Sequence, residues 1–403
     1  MTRYVIVGNG VAGVTAAQAI VKAQPGADVH LYSAEPYPYY RRPQLPAFIA
    51  GEVGEAEITH RPLDWYEQQS IHVHLARAVV ELDPAARRLR LDDGSSAPYD
   101  RLLLTTGGWA WMPPVEGADR RGVFTLRTLD DARAIRDHAR TVRQATVVGG
   151  GLLGLETARA LRALGLTVTV LEFSTHLMPR QVDAQGATVL QSILEQQGIR
   201  VLTRTSAAAI VGNGAVSGLR TQDGRELPAG LVLCAAGWRS ETTLARQAGL
   251  AVNKGIVVDE HLQTSAADVY AAGDAAEAHG LLYGIVPAAI EQARAAAANM
   301  VAPGSAVYSG TLPFTTLKVA GAELTSLGSC TIEDESLVQL RHADLPRQQY
   351  RKLVLQGGRI IGAILLNERE RTNPIKQLIE RGSDVSAYAD RLLDEDFDLR
   401  TLL

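Results

Sequence analysis

Two glycine-rich turns constrain this chain more than any other feature. In the middle, an apolar run at residues 145–148 leads into Gly149-Gly150-Gly151-Leu152-Leu153-Gly154, then a helical stretch, then residues 168–171 and Glu172. The N-terminus repeats the pattern: residues 3–7, Gly8-Asn9-Gly10-Val11-Ala12-Gly13, a helical spacing over 14–23, a second strand at 29–32, and Glu35 just beyond it. Both stretches fit G-x-G-x-x-G with an acid about 20 residues on, the pattern of a dinucleotide turn. Glycine has no side chain, so the turn can be tight and a pyrophosphate can approach the backbone. The helix that follows offers unpaired N–H groups and the positive end of its dipole to the phosphates.

The rest of the chain arranges itself around these two units. Residues 102–108 read as a buried strand ending in a glycine turn, and residues 231–237 repeat that ending. The fold class is α/β: two nucleotide-binding domains, the second inserted in the first, followed by an α+β domain of short strands and helices. The boundaries read as 1–114 and 239–311 for the first domain, 115–238 for the insert, and 312–403 for the last. Residues 35–51, rich in Tyr, Pro and Arg, read as a loop with little structure of its own. Residues 72–82 and 87–91 read as strands with Asp92-Asp93-Gly94 as the hairpin turn. In the last domain, strands are expected at 312–319, 324–328, 350–356 and 359–366, with helices at 374–381 and 387–393.

Composition excludes several classes. A chain of 403 residues exceeds one ordinary core. A net charge of −4 offers nothing to nucleic acid or an anionic membrane, and no apolar run is long enough to span one. The two cysteines, Cys234 and Cys330, lie far apart with no C-x-x-C, which argues for a reducing, cytoplasmic setting. The nine histidines form no metal-binding spacing, so no metal is expected.

With Arg42-Pro43, Thr106-Gly107-Gly108, residues 126–132, Thr264-Ser265, Val269-Tyr270-Ala271-Ala272-Gly273-Asp274 and Leu317-Lys318-Val319-Ala320-Gly321 in the same order, the chain resembles the FAD-dependent pyridine nucleotide oxidoreductases. Within them it is similar to the NADH–rubredoxin and ferredoxin reductases and to the flavin part of NADH nitrite reductase. The resemblance implies that Gly8, Gly10 and Gly13 cradle the FAD pyrophosphate and Glu35 holds the adenosine ribose. Val79 would meet the adenine, Arg42 and Pro43 would lie on the flavin side, and Thr106 and Gly107 would line the pyrophosphate. Gly273 and Asp274 would take the ribityl chain. Gly149, Gly151 and Gly154 would cradle NAD, with Gly237 closing that unit and Glu156 catalytic beside the flavin. Glu172 favours NADH over NADPH, because a carboxylate accepts from a 2′-OH and repels a 2′-phosphate.

Two positions depart from the family. The lysine that usually pairs with Glu156 is Ala47, and the arginine usually found after Thr-Gly-Gly is Trp111. No cysteine stands near 41–47, so electrons must leave the flavin without a thiol relay. The expected function is hydride uptake from NADH and electron transfer to a small iron–sulfur carrier such as rubredoxin or ferredoxin, steered by Arg41-Arg42, Arg87-Arg88 or Arg120-Arg121. Two alternatives stay open, an NADH oxidase or small-molecule reductase and an NADH-sensing flavoprotein. So does the choice of monomer or homodimer.

Overall fold

The computed structural model describes residues 1–403 except Ala320 and Glu333. Ala320, part of the Leu317–Gly321 motif, therefore lies outside the described residues. The chain forms two compact units. The first comprises Met1–Gln44, Gly54–Trp109 and Trp238–Thr311; the second comprises Leu45–Val53, Ala110–Gly237 and Leu312–Leu403.

Among the described residues, the first unit is built on a five-stranded sheet in the order Val269–Ala271, Arg101–Leu104, Arg3–Val7, Asp28–Tyr32, Ile71–His74, parallel throughout. The second unit repeats it with Val123–Phe124, Leu231–Cys234, Gln144–Val148, Thr167–Leu171 and Ile199–Leu202. In each, the phosphate-turn strand is central and the strand leading to the acid lies beside it. Parallel strands covered on both faces must be apolar throughout. Val5, Ile6, Leu102, Leu103, Val147 and Leu233 are accordingly fully buried. The helix Val11–Ala23 packs on the helix Val286–Val301, where Ala16, Ala17, Ala293 and Ala296 let the two backbones approach closely.

The last part of the chain is an antiparallel sheet in the order Phe314–Val319, Ala322–Gly328, Arg359–Leu366, Gln349–Gln356, Val338–Asp344. The helix Arg369–Arg381 covers it and buries Ile375 and Leu378 against Leu327, Leu353 and Leu365.

Four local expectations need correction. Residues 35–51 are ordered, with a short strand Tyr39–Tyr40, a 3-10 turn Arg42–Gln44 and a helix Leu45–Ala50. That helix is short and contains Pro46, which the first turn tolerates. What holds it is burial of Leu45, Phe48 and Ile49 where it packs on the helices Leu129–Ala139 and Leu152–Ala163. Residues 72–82 are not one strand: Ala76 adopts φ 51°, and Ile71–His74 and Val79–Asp83 enter different sheets. The strand Val338–Asp344 escaped the sequence because it is an edge strand with half its residues polar. The helix expected to start at Pro374 begins at Arg369 with the proline inside it, and residues 386–391 form a 3-10 helix instead of an α-helix.

In the second unit a buried carboxylate ties the C-terminal sheet to the nucleotide fold. Asp183 caps the helix Ala184–Gln196 by accepting the Gly186 N–H at 3.0 Å. Its other oxygen accepts the Tyr350 hydroxyl at 2.7 Å and lies 3.3 Å from the Lys352 ammonium and from Arg341 Nε. Lys352 is fully buried. Burial alone would raise the Asp183 pKa, but the Gly186 N–H, the Tyr350 hydroxyl and Lys352 outweigh it and hold the group below the usual carboxylate range. Its contribution to stability is thus present at neutral pH and lost as acid drives pH down through that lowered value.

Asp183→Ala is expected to cost about 3–5 kcal/mol, because it removes the carboxylate facing a buried ammonium. A urea unfolding midpoint unchanged from the parent would show that the network does not hold the sheet in place.

Candidate functional site

The first unit gathers its cofactor-type residues around the turn 8–13. Gly8 has φ +116°, and a Cβ there would lie 2.1 Å from the Thr105 carbonyl oxygen. A Cβ on Gly13 would lie 1.9 Å from the Gly8 oxygen. These two glycines press the helix start against the strand end. Gly10 differs: its nearest neighbour would be Arg42 Nη1 at 3.8 Å, so its face is open for an incoming group. This is the pattern of a phosphate cradle, with outer glycines for packing and a middle one for ligand approach. The residues fit an FAD pyrophosphate.

Arg42 reaches over this turn from the 3-10 turn Arg42–Gln44, which also carries Pro43. Its guanidinium pairs with Glu35, whose second oxygen accepts the Tyr40 hydroxyl at 2.6 Å. Arg42 also stacks on the Tyr40 ring. Glu35 and Arg42 therefore stand together beside the turn. Thr106 donates its hydroxyl to the Glu241 carbonyl at 2.7 Å, and Gly107 O accepts the Glu241 N–H at 2.9 Å. Gly273 has φ +76°, donates its N–H to Gln292 at 2.8 Å and approaches Ala12 at the head of the first helix. That places Asp274, in the 3-10 turn Gly273–Ala275, by the same helix N-terminus. Val79 opens the strand Val79–Asp83 and is half-buried.

The second unit repeats the cradle. Gly149 would clash with the Ala235 carbonyl oxygen at 2.4 Å and Gly154 with the Gly149 oxygen at 2.0 Å. Gly151, at the head of the helix Leu152–Ala163, has nothing within 4 Å. Glu172 is buried, and its oxygens accept the Gly150 N–H at 2.8 Å and the Ser174 N–H at 2.7 Å. The two oxygens of a carboxylate offer about four acceptor positions, so two stay open to a further donor. Gly237, at φ +121°, accepts the Trp111 N–H at 3.0 Å and also faces open space.

Glu156 lies on the Leu152–Ala163 helix, partly buried. Burial pushes its pKa up to about 7, against the opposing pull of Arg159 and a hydrogen bond from the Lys318 backbone N–H. Arg159 is held in turn by both oxygens of Glu52, one of them at 2.8 Å. Arg159 is the cation acting on Glu156. It does not restore the acid to its ordinary range.

Some partners had no signal in the sequence. Thr105 donates its hydroxyl to the Val7 and Gly8 carbonyls, both at 3.0 Å, and latches the first turn. Asn9 accepts the buried Tyr66 hydroxyl at 2.8 Å, and that hydroxyl accepts the Tyr39 N–H. These contacts link residues distant in sequence, and Thr, Asn and Tyr are common everywhere. Of the arginines suggested for steering a partner, Arg42 is paired with Glu35, Arg87 with Asp268, and Arg120 donates to the Gly212 carbonyl. Both cysteines are free and buried, and burial pushes each thiol up to about 11. Neither is a thiolate at neutral pH.

Comparison with known proteins agrees with this geometry. The family model described as pyridine nucleotide-disulphide oxidoreductase matches residues 2–299, and that of the rubredoxin NAD+ reductase C-terminal domain matches residues 313–383. Nitrite reductase [NAD(P)H] of Bacillus subtilis (strain 168) is 37% identical over 385 residues, 95% of this chain; the chain spans about half, 48%, of that enzyme. The ferredoxin–NAD(+) reductase component of the biphenyl dioxygenase system of Paraburkholderia xenovorans (strain LB400) is 32% identical over 407 residues, 99% of this chain and 97% of the other. Among solved structures, the covalent putidaredoxin reductase–putidaredoxin complex superposes with a TM-score of 0.91 at 27% identity, covering 100% of this chain and 98% of that one. The chain belongs to the pyridine nucleotide-disulphide oxidoreductase family, whose members use FAD and NAD(H).

Proposed function

We propose that the chain oxidises NADH with a bound FAD and passes the electrons to a small iron–sulfur carrier of the rubredoxin or ferredoxin kind. In this reading FAD occupies residues 1–114 and 239–311, NADH occupies residues 115–238, and residues 312–403 form the accessory domain. The observation that carries it is the pair of phosphate cradles, each with one open glycine and an acid beyond the neighbouring strand, in a chain whose two cysteines are free and buried.

The bound flavin supplies hydride acceptance and stepwise electron release. The protein holds and orients. Gly8, Gly10 and Gly13 admit one pyrophosphate, with Arg42 adding a cation above the turn. Gly149, Gly151 and Gly154 admit the other, and Glu172 selects the unphosphorylated ribose. Glu156 can hold or release a proton at its carboxyl near neutral pH. The free, buried cysteines favour a reducing, cytoplasmic setting. Among the described residues no helix is long and apolar enough to cross a membrane.

Anaerobic stopped-flow tests the main reading. NADH should bleach the flavin, and reduced enzyme should reoxidise faster with rubredoxin or ferredoxin than with air. Faster reoxidation by oxygen would make the chain an oxidase, and a persistent reduced complex would make it a sensor.

Glu172→Gln keeps the shape of the turn but removes the charge. It should erode the preference for NADH over NADPH by about tenfold in kcat/KM, the worth of one charge-assisted hydrogen bond. Unchanged discrimination would remove Glu172 from the ribose site.

The raised pKa of Glu156 makes a prediction with a definite sign. Between the ordinary carboxylate value and about 7 the folded protein holds a proton that the unfolded chain has lost, so stability falls as pH rises through this window. Glu156→Gln should therefore gain thermal stability relative to the parent as pH goes from about 5 to 8. It should also remove an inflection near 7 from the pH profile of flavin reduction. Parallel stability curves for parent and variant would show that the acid titrates normally.

A further inference from the structure

At one edge of the first sheet the strands Asp28–Tyr32 and Ile71–His74 run parallel with His30 directly opposite His72 and Tyr32 opposite His74. Side chains at alternate positions share a face. Asp28, His30, His72 and His74 therefore line one face of this edge. The histidines carry no recognisable spacing because the two strands are far apart in sequence, and only strand pairing brings them together. The phosphate cradle does not use them.

We propose that Asp28, His30 and His72 form a binding site for a divalent transition-metal cation, with Zn2+ as the fitting representative. One ligand atom from each of the three lies within 4.8 Å of the others. His30 Nε2 and Asp28 Oδ1 are 2.9 Å apart, a hydrogen-bonded pair. A tetrahedral ion with bonds of about 2.0–2.2 Å holds adjacent donors about 3.3–3.6 Å apart, so the pair would open by about half an ångström to admit it. Imidazole and carboxylate suit this class of ion, and three protein ligands leave a position for water.

The ligands are also oriented from behind. His30 Nδ1 is 3.0 Å from His74 Nε2. In the tautomer with hydrogen on Nδ1, His30 donates to His74 and turns the Nε2 lone pair toward Asp28. An outer partner that sets the tautomer in this way is characteristic of metal-bound histidine. Asp28 Oδ2 accepts Arg3 Nε at 2.7 Å, so Oδ1, which pairs with His30 Nε2 at 2.9 Å, is the oxygen that would turn to the ion. His72 stacks on His30 at 4.9 Å between ring centres and is exposed, so it can rotate to close the set and the ion has a path from solvent. The Arg3 charge opposes the cation and weakens its binding. A bound ion would staple the edge strand Ile71–His74 to the strand that leads to Glu35.

The test uses FAD-loaded protein, dialysed against chelator and titrated with ZnCl2 alone by calorimetry, with the melting temperature measured in parallel. One equivalent should bind and raise the melting temperature. His72→Ala, an exposed position at a sheet edge, and Asp28→Asn should each weaken binding at least about tenfold, the effect of losing one ligand or its support. Arg3→Gln should tighten it, and His342→Ala, in the second unit, should leave it unchanged. No binding, or binding that His72→Ala and Asp28→Asn leave intact, overturns the proposal.

Discussion

Close backbone approach at the paired glycines is the constraint on which the rest depends. A methyl group at Gly13 or Gly154 would stand about 2 Å from a carbonyl oxygen of its own turn. Only because those methyls are absent can each helix start hard against the end of its strand. That contact aims the first free N–H groups of the helix at the space over Gly10 or Gly151. The flanking strands, the acid beyond the second strand and the segment that latches the turn all take their positions from it. Two copies of one local solution therefore give two parallel sheets with the turn strand at the centre of each.

Around these cradles the structure repeatedly uses carboxylates for positioning. Glu172 receives two backbone N–H groups and stiffens the turn it is expected to serve. Asp183 caps a helix and faces a buried lysine. Glu35 is gripped by Arg42 and Tyr40. For Asp183 the donors around it outweigh burial and hold its pKa below the usual carboxylate range. Glu156 is the contrast. Its nearby arginine is shared with Glu52, so burial prevails and its proton is held up to about neutral pH.

Much of this was legible in the sequence, and the reasons differ by residue. The glycine turns could be read because a missing Cβ is a local requirement that leaves a local mark. Glu172 could be read because its distance from the turn is set by one helix and one strand. The helix Leu45–Ala50 could not, because it is held by two helices supplied from far along the chain. Residues 72–82 alternate well enough to read as one strand, yet Ala76 turns left-handed and sends the halves to different sheets. Thr105, Asn9 and Tyr66 carry no signal by type or spacing; only the folded chain shows that they lock the first turn.

What the sequence determined by itself was the repeated strand–turn–helix unit, the glycines of its two turns and the acid beyond each neighbouring strand. All three follow from residue identity and short-range spacing. The tertiary structure alone decided which side chains share a face or a proton: Arg42 with Glu35, Arg159 with Glu52 and Glu156, Asp183 with Lys352, and the histidines of two paired strands. Those pairings depend on chain segments meeting across long separations, where the free energy comes from burial and charge compensation that no local window contains.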